Sequence, residues 1–218
     1  MKQWKRWIAF VLTLCLMVGY APVSARATET ADSVITGITI KGASHSNNNE
    51  DPWMAFDGDP DSKWCSSGYD ADHGWVVFSL PYPAFLSRMQ VEHAEGHGSD
   101  TKENNTIAFS LQRLNPDKGL NIETMTREQM EDDSNWITVV DVDNSAQLQQ
   151  TDTAFTSEVS ATHYRLKVTD GDKATSWGAV RIHEVVLYGV QDTAGSKKIT
   201  FDAGGGTGTM APDYVNIG

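Results

Sequence analysis

The chain has 218 residues, with 17 lysines and arginines against 29 aspartates and glutamates and a formal net charge of −12. Such a surface repels phosphate backbones and anionic lipid, and no basic stripe offsets it, so nucleic-acid binding and charge-driven membrane adhesion are not expected. It has only two cysteines, Cys15 and Cys65, and a single domain with a tail fits the length.

The first residues read as an export segment. Lys2, Lys5 and Arg6 precede an apolar run from Ile8 to Ala21, and small residues follow at Val23-Ser24-Ala25 and Ala25-Arg26-Ala27. That order predicts a secretory signal over residues 1–27, and the apolar run is short for a membrane span. The mature chain is expected not to insert in a membrane. Removing the signal removes Cys15, and Cys65 alone cannot close an internal disulfide. Stability must come from core packing, with or without a bound ion. Cys65, next to Trp64, reads as a buried thiol.

From Ser33 onward the sequence alternates in the manner of short strands: "SVITGITIKGA", "GWVVFSL", "FLSRMQVEHA", "TIAFSLQRL", "NWITVVDV", "HYRLKVTD" and "GAVRIHEVVLYGV". Pro81 and Pro83 predict a turn between the second and third runs. Phe85, Met89 and Val91 share one parity, as do Ile107, Phe109 and Leu111. In the last run Val180, Ile182, Val185 and Leu187 do not, which predicts a bulge near Glu184. Residues Asn121 to Asn135 form the one stretch with helical character, with Met125 and Met130 as its apolar points. The pattern predicts an all-β domain over 33–190, a jelly roll or sandwich. Residues 191–198 read as a linker. Residues 199–218, with a β start and a glycine run, read as the opening of a further β-rich module whose remainder is missing.

Within "AFDGDPDSKWCS", Asp57, Asp59 and Asp61 alternate with Gly58 and Pro60, and Ser62 follows. Carboxylates this close either spread into solvent or gather round a hard cation that takes six to eight oxygens. The spacing is not that of an EF-hand, so a calcium loop and a solvated turn both stand. Trp53, Phe56 and Trp64 flank the loop and are expected in the core. His93 and His97 lie four apart, but Gly96 and Gly98 argue against a helix that would aim both at one metal.

Taken together, "PWMAFDGDPDSKWCS", "GWVVFSL", "HAEGHGSDTKENNTIAFSLQ", "HYRLKVTD" and "GAVRIHEVVLYG" resemble the discoidin or coagulation factor 5/8 C-type domain, nearest to the bacterial family 32 carbohydrate-binding modules. The resemblance implies an eight-stranded jelly-roll sandwich that binds glycans through loops at one end and is not an enzyme. It also implies a structural Ca²⁺ held by Asp59 and Ser62, with Asp57 or Asp61, and by Glu184 from the last strand. The 199–218 tail resembles the start of a small repeat of Gram-positive surface proteins, which implies a secreted or surface-attached modular polypeptide; the resemblance to the binding modules implies that the domain directs a glycoside hydrolase in the parent protein to its substrate. An adhesion or protein-interaction domain of the same fold is the alternative.

Sugar recognition needs a flat apolar platform against the C–H face of the ring and fixed polar groups for the hydroxyls. Trp177, in the polar loop "GDKATSWGAV", is the first platform candidate, and Tyr69 the second. His93, Glu95, His97 and Asn105 are the polar candidates. Galactose-binding members of the resembled family use a histidine, an arginine and an asparagine; this loop has no arginine. That departure leaves a preference for galactose open, and the resemblance implies only the class, a galactoside or an N-acetylated sugar. Arg165 and Arg181 are expected to be structural.

Overall fold

The computed structural model describes residues 32–47, 49–66, 74–172 and 179–194, together with the backbone of 196–199 and 213–216. The predicted signal segment and the platform candidates Tyr69 and Trp177 lie outside the described residues. Strands run in the order β1 (Ser33–Val34), β2 (Thr39–Ala43), β3 (Trp64–Cys65), β4 (Trp75–His93), β5 (Ala108–Leu114), β6 (Trp136–Asp143), β7 (Gln150–Ala154), β8 (Ala161–Asp170) and β9 (Arg181–Gln191). A short helix, α1 (Arg127–Glu131), precedes β6. A separate antiparallel pair, β10 (Ser196–Ile199) and β11 (Asp213–Asn216), starts inside the predicted linker. Among the described residues no helix is long and apolar enough to cross a membrane.

The first nine strands form one hydrogen-bonded, antiparallel sheet that folds over on itself. The fold comes from β4. Its first part, Trp75–Ser79, pairs with β2 on one side and β8 on the other. Its second part, Ala84–His93, pairs with β9 and β7. The ladder with β8 breaks between Ser79 and Ala84, the interval that holds Pro81 and Pro83. Proline lacks the N–H a central ladder needs, so it is tolerated where the strand leaves one layer for the other. The expected turn between two strands is thus a corner within one. The result is a jelly-roll sandwich: β2-β4-β8-β5-β6 in one layer, and β7-β4-β9 with β1 and β3 in the other.

Side-chain alternation fills the space between the layers. Phe78, Leu86, Met89, Val91, Phe109, Leu111, Tyr164, Leu166, Ile182 and Leu187 are all buried in one cluster. Met89 and Val91 take the inward positions expected of them. Phe85 does not: the pairing with β9 slips between Leu86 and Arg88, and this puts Leu86 inside and leaves Phe85 half-buried. Phe109 and Leu111 point inward as predicted, and Ile107 is half-buried. Trp64 is buried and Phe56 packs on Phe78 with ring centroids 4.9 Å apart, but Trp53 is exposed. The parity break in the last strand is a bulge, since Glu92 faces Glu184 while the next residue, His93, faces Ile182.

The stretch of helical character becomes α1 between two 3-10 turns, Ile122–Thr124 and Asp133–Asn135. Ile122, Met125, Met130 and Trp136 close over Trp75 and Val77, on the outer face of the first layer. Arg165 ties this cover down. Its side chain is fully buried, and it donates to Gln112 Oε1 at 2.8 Å, to the carbonyls of Met130 and Glu131 at 2.9 and 2.8 Å, and to Asp133 Oδ1 at 2.6 Å. Those carbonyls belong to the last turn of α1, where backbone acceptors lack helical partners and a cation is favoured. The structural role expected of Arg165 holds, and Arg181 likewise pairs with Asp172 at 2.6 Å. Replacing Arg165 with Ala strands these buried acceptors and leaves a void. Denaturant unfolding should show a loss on the order of 3–5 kcal/mol. Asp133→Asn, at an exposed carboxylate, should cost about 1 kcal/mol or less.

Candidate functional site

Because β4 goes out in one layer and returns in the other, its last residue, His93, packs its ring 5.6 Å from that of Phe109 at the start of β5. The turns after β4, before β5, after β6, after β8 and before β9 therefore gather at one end of the sandwich. They are held by buried amides. Asn105 accepts from the Glu95 N–H at 2.8 Å and donates to Glu95 Oε2 at 3.1 Å and to the Gln147 carbonyl at 2.9 Å. Asn144 donates to the Thr106 and Leu148 carbonyls and accepts from the Leu148 N–H. Each such amide satisfies backbone groups that would cost about 1–3 kcal/mol if buried alone.

The polar candidates divide by depth. His93 and Asn105 are fully buried. His93 Nε2 lies 3.3 Å from Thr151 Oγ1, and burial pulls its pKa down to about 4, so the ring is neutral at physiological pH. In this structure both residues brace the loop from beneath. Glu95 and His97 lie nearer the surface. His97 Nε2 is 3.0 Å from Glu92 Oε1, and its ring stacks on that of His183 at 3.7 Å. Sequence reading missed His183, although the parity break that predicted the bulge was its signal. Tyr69 and Trp177 lie outside the described residues, and the described residues on either side of them pair with each other. Ser66 and Val180 exchange two hydrogen bonds, and the Asp172 N–H donates to the Ala179 carbonyl.

The acidic loop sits beside this end, and the bulge in β9 is what reaches it. Glu184 Oε2 accepts from the Gly58 N–H at 2.9 Å, and His183 Nδ1–H donates to the Pro60 carbonyl at 2.8 Å. Gly58 has φ of +77°, a conformation that L side chains rarely adopt. Ser62 Oγ gathers oxygens around itself: Asp57 Oδ2 at 3.0 Å, the Asp59 carbonyl at 3.1 Å and the Met54 carbonyl at 3.2 Å. Asp59 spends its carboxylate on the Asp61 N–H at 3.0 Å. Asp57 Oδ1 likewise accepts from the Asp59 N–H at 2.9 Å, but it is the Asp57 charge that acts on Glu184, while Asp59 offers its carbonyl to Ser62. Burial first, and then the nearby Asp57 charge, push Glu184 up to a pKa of about 7.

These residues fit a hard cation. Two carboxylates, a hydroxyl and two carbonyls form an all-oxygen donor set, and the raised Glu184 marks a place where negative charge lacks compensation. Among the described residues, no three His, Cys, Asp or Glu side chains are grouped to hold a metal, so carbonyl and hydroxyl oxygens have to complete any shell. At the far side of the loop, Lys63 bridges Asp100 at 3.0 Å and Glu50 at 3.6 Å. A cavity of ≈ 260 Å³ lies at the opposite end of the sandwich, between Leu114, Pro116 and His163, away from all of these groups.

No family model and no curated protein sequence matches the chain. Solved structures do. The family 32 carbohydrate-binding module of Streptococcus pneumoniae EndoD has a TM-score of 0.55 and 23% identity, covering 72% of this chain and 99% of that one. The family 32 module of Clostridium perfringens NanJ, solved in complex with galactose, has a TM-score of 0.52 and 14% identity, covering 72% and 98%. CBM32-3 from a family 31 glycoside hydrolase of Clostridium perfringens has a TM-score of 0.52 and 15% identity, covering 70% and 90%. The fold is that of the family 32 carbohydrate-binding modules. Identities this low carry the architecture, and the chemistry of the loop end has to be argued from its own residues.

On this family 32 fold, Glu184 makes the acidic loop pH-sensitive when no cation is present. Its folded pKa lies above its ordinary value of 4.5, so the folded state holds the proton more tightly than the unfolded chain. The associated stability is complete below about pH 4.5 and is lost as the pH rises through about 7. In chelator, melting temperatures measured across this window should fall with rising pH. Glu184→Gln should flatten that part of the profile.

Proposed function

We propose that residues 33–190 form a non-catalytic, calcium-stabilised carbohydrate-binding module that acts outside the cell and holds an attached glycoside hydrolase on its glycan. The observation that carries this reading is the match to sugar-binding modules over nearly their whole length, one of them solved with galactose. The loop end supports it, since its braced turns offer a fixed surface rather than a cleft with opposed carboxylates. The Asp57 charge acts on Glu184, an arrangement that suits an ion and not an acid–base pair across a substrate.

In this reading Trp177 is the platform, with Tyr69 as the alternative aromatic, and Glu95 and His97 are the polar groups within reach of hydroxyls. His93 and Asn105 set the loop from below. The ligand class is a galactoside or an N-acetylated sugar; the acidic surface disfavours anionic glycans. Trp177→Ala should weaken glycan binding roughly tenfold or more, with the melting temperature moved by about 2 °C or less. A glycan array followed by calorimetry checks this, and an unaltered affinity removes Trp177 from the site.

The ion's role is structural. Asp57, Ser62 and Glu184, with the Met54 and Asp59 carbonyls, would hold Ca²⁺, and Asp59 and Asp61 shape the turn. Binding to the folded state adds its free energy to stability. Asp57→Ala should lower the melting temperature in calcium and have little effect in excess chelator, whereas Glu184→Gln should lower it in calcium but, in chelator above about pH 7, raise it. Equal shifts in both conditions would reject the ion.

A further inference from the structure

The cavity at the end of the sandwich opposite the loops is lined by a cation that the fold does not use. Arg113 has the inward parity of Phe109 and Leu111 in β5 and faces Tyr164 across the ladder with β8, so it comes half-buried at the end of the core. Arg88, Arg127, Arg165 and Arg181 each donate to a carboxylate or a backbone carbonyl. Arg113 has no hydrogen-bond or ion-pair partner among the described residues. A guanidinium drawn partly out of water without a carboxylate is an open demand for an anion.

The rest of the lining sharpens that demand. Acidic residues outnumber basic ones 29 to 17 in the chain, yet no aspartate or glutamate lines this cavity. Asp117 and Glu158, next to lining residues in sequence, are exposed, and Asp192 already accepts from Ser160 Oγ and the Ala194 N–H. Asn115 Oδ1 accepts from the Asp117 N–H at 3.1 Å, which leaves its Nδ2 without a partner among the described residues, and the Thr162 hydroxyl has none there either. The remaining wall is apolar and fixed. Leu114 and Leu120 pack on the cluster over Trp75, and the Val159 carbonyl accepts from Ser157 Oγ at 2.7 Å.

Donors without acceptors beside an apolar wall complement a carboxylate on a hydrocarbon body. His163 adds no second charge near pH 7, because burial, and then the Lys41 charge, hold its pKa below the ordinary value. One cation matches one anion, which favours a monocarboxylate over a phosphate dianion. No Trp, Tyr or Phe lines the cavity, so a pyranose would find no platform. Its ≈ 260 Å³, at about 30 Å³ per water, holds roughly eight or nine heavy atoms.

We propose that this cavity binds a small apolar monocarboxylate, with the carboxylate on Arg113, Asn115 and Thr162 and the hydrocarbon part against Leu114, Leu120 and Val159. The site lies the length of β5, roughly 20 Å, from the loop end and does not depend on the sugar-binding reading. Hexanoate and benzoate are titrated into the full chain by calorimetry and ligand-observed NMR, with hexanamide, inorganic phosphate and glucuronate as comparisons. One carboxylate per chain should bind, and hexanamide should bind at least tenfold more weakly. Arg113→Gln should weaken hexanoate tenfold or more. Arg113→Glu should lose hexanoate and take up hexylammonium instead, a reversal that a purely structural arginine would not give. Val159→Asp changes a side chain that is 46% exposed, so it should leave the melting temperature unchanged and abolish carboxylate binding by repulsion. Failure of both carboxylates to bind at about 10 mM would overturn the site. Binding that Arg113→Gln and Val159→Asp both leave intact would overturn its location. Glucuronate or phosphate held more tightly than hexanoate would overturn the assigned chemistry.

Discussion

One strand that belongs to two layers constrains everything else in this fold. β4 lies between β2 and β8 over Trp75–Ser79 and between β9 and β7 over most of its return, so neither layer can form without the other. The corner at Leu80–Pro83 reverses its path. It therefore fixes where His93 ends, where the turn from Ala94 to Ile107 must emerge, and which turns meet it. Pro81 and Pro83 surrender N–H groups where the ladder is already broken, so the corner forfeits few hydrogen bonds. Trp75 and Val77, on the opposite parity to Val76 and Phe78, would face water if α1 and its flanking turns did not cover them. Arg165 secures that cover, so the outer face of the first layer and the core between the layers are both sealed along the same strand.

With both faces closed, the loop end can be rigid without a disulfide. Cys65 is buried, and burial pushes its thiol up to about 11, which leaves it an inert packing residue. Rigidity comes instead from Asn105 and Asn144, which join turns far apart in sequence, and from the Arg181–Asp172 pair, which closes the connection between β8 and β9. Such buried polar groups favour a single arrangement because any alternative leaves an amide or carbonyl unpaired. A binding surface built this way loses little conformational entropy when a ligand arrives.

The strands were legible because their alternation survives in the sequence, and the bulge was legible because alternation failed between Val180 and Val185. Other features were hidden for physical reasons. Two prolines near a strand end read alike whether the chain turns back or crosses to another layer. Phe85 and Leu86 differ in depth only because of a register slip that no local pattern encodes. His93 and Asn105 read as loop groups open to a ligand, yet His93 ends β4 and both are buried, because short polar side chains look the same in sequence whether they face water or satisfy a backbone. Trp53 misled for the opposite reason: apolar size predicts burial on average, and a Pro-initiated turn pinned at Ala55 and Phe56 overrides that average.

The acidic loop and the turn from Ala94 to Ile107 share no ligand, yet packing joins them. His183 donates to Pro60 in the acidic loop and stacks on His97, which meets Glu92. With Nδ1–H committed to Pro60, a neutral His183 keeps a lone pair on a buried Nε2 that has no partner among the described residues. Burial holds its pKa below the ordinary value, and two charged rings 3.7 Å apart would repel. The stack is therefore a neutral contact on the His183 side and needs Pro60 held in place. A cation drawing Asp57, Ser62 and Glu184 together, as proposed, would fix the turn that carries Pro60. On the calcium reading, the ion would then steady the loop bearing Glu95 and His97 through a wedge of stacked rings, not by touching it. The bulge in β9 makes this possible, because it sends consecutive side chains, His183 and Glu184, to the same acidic turn.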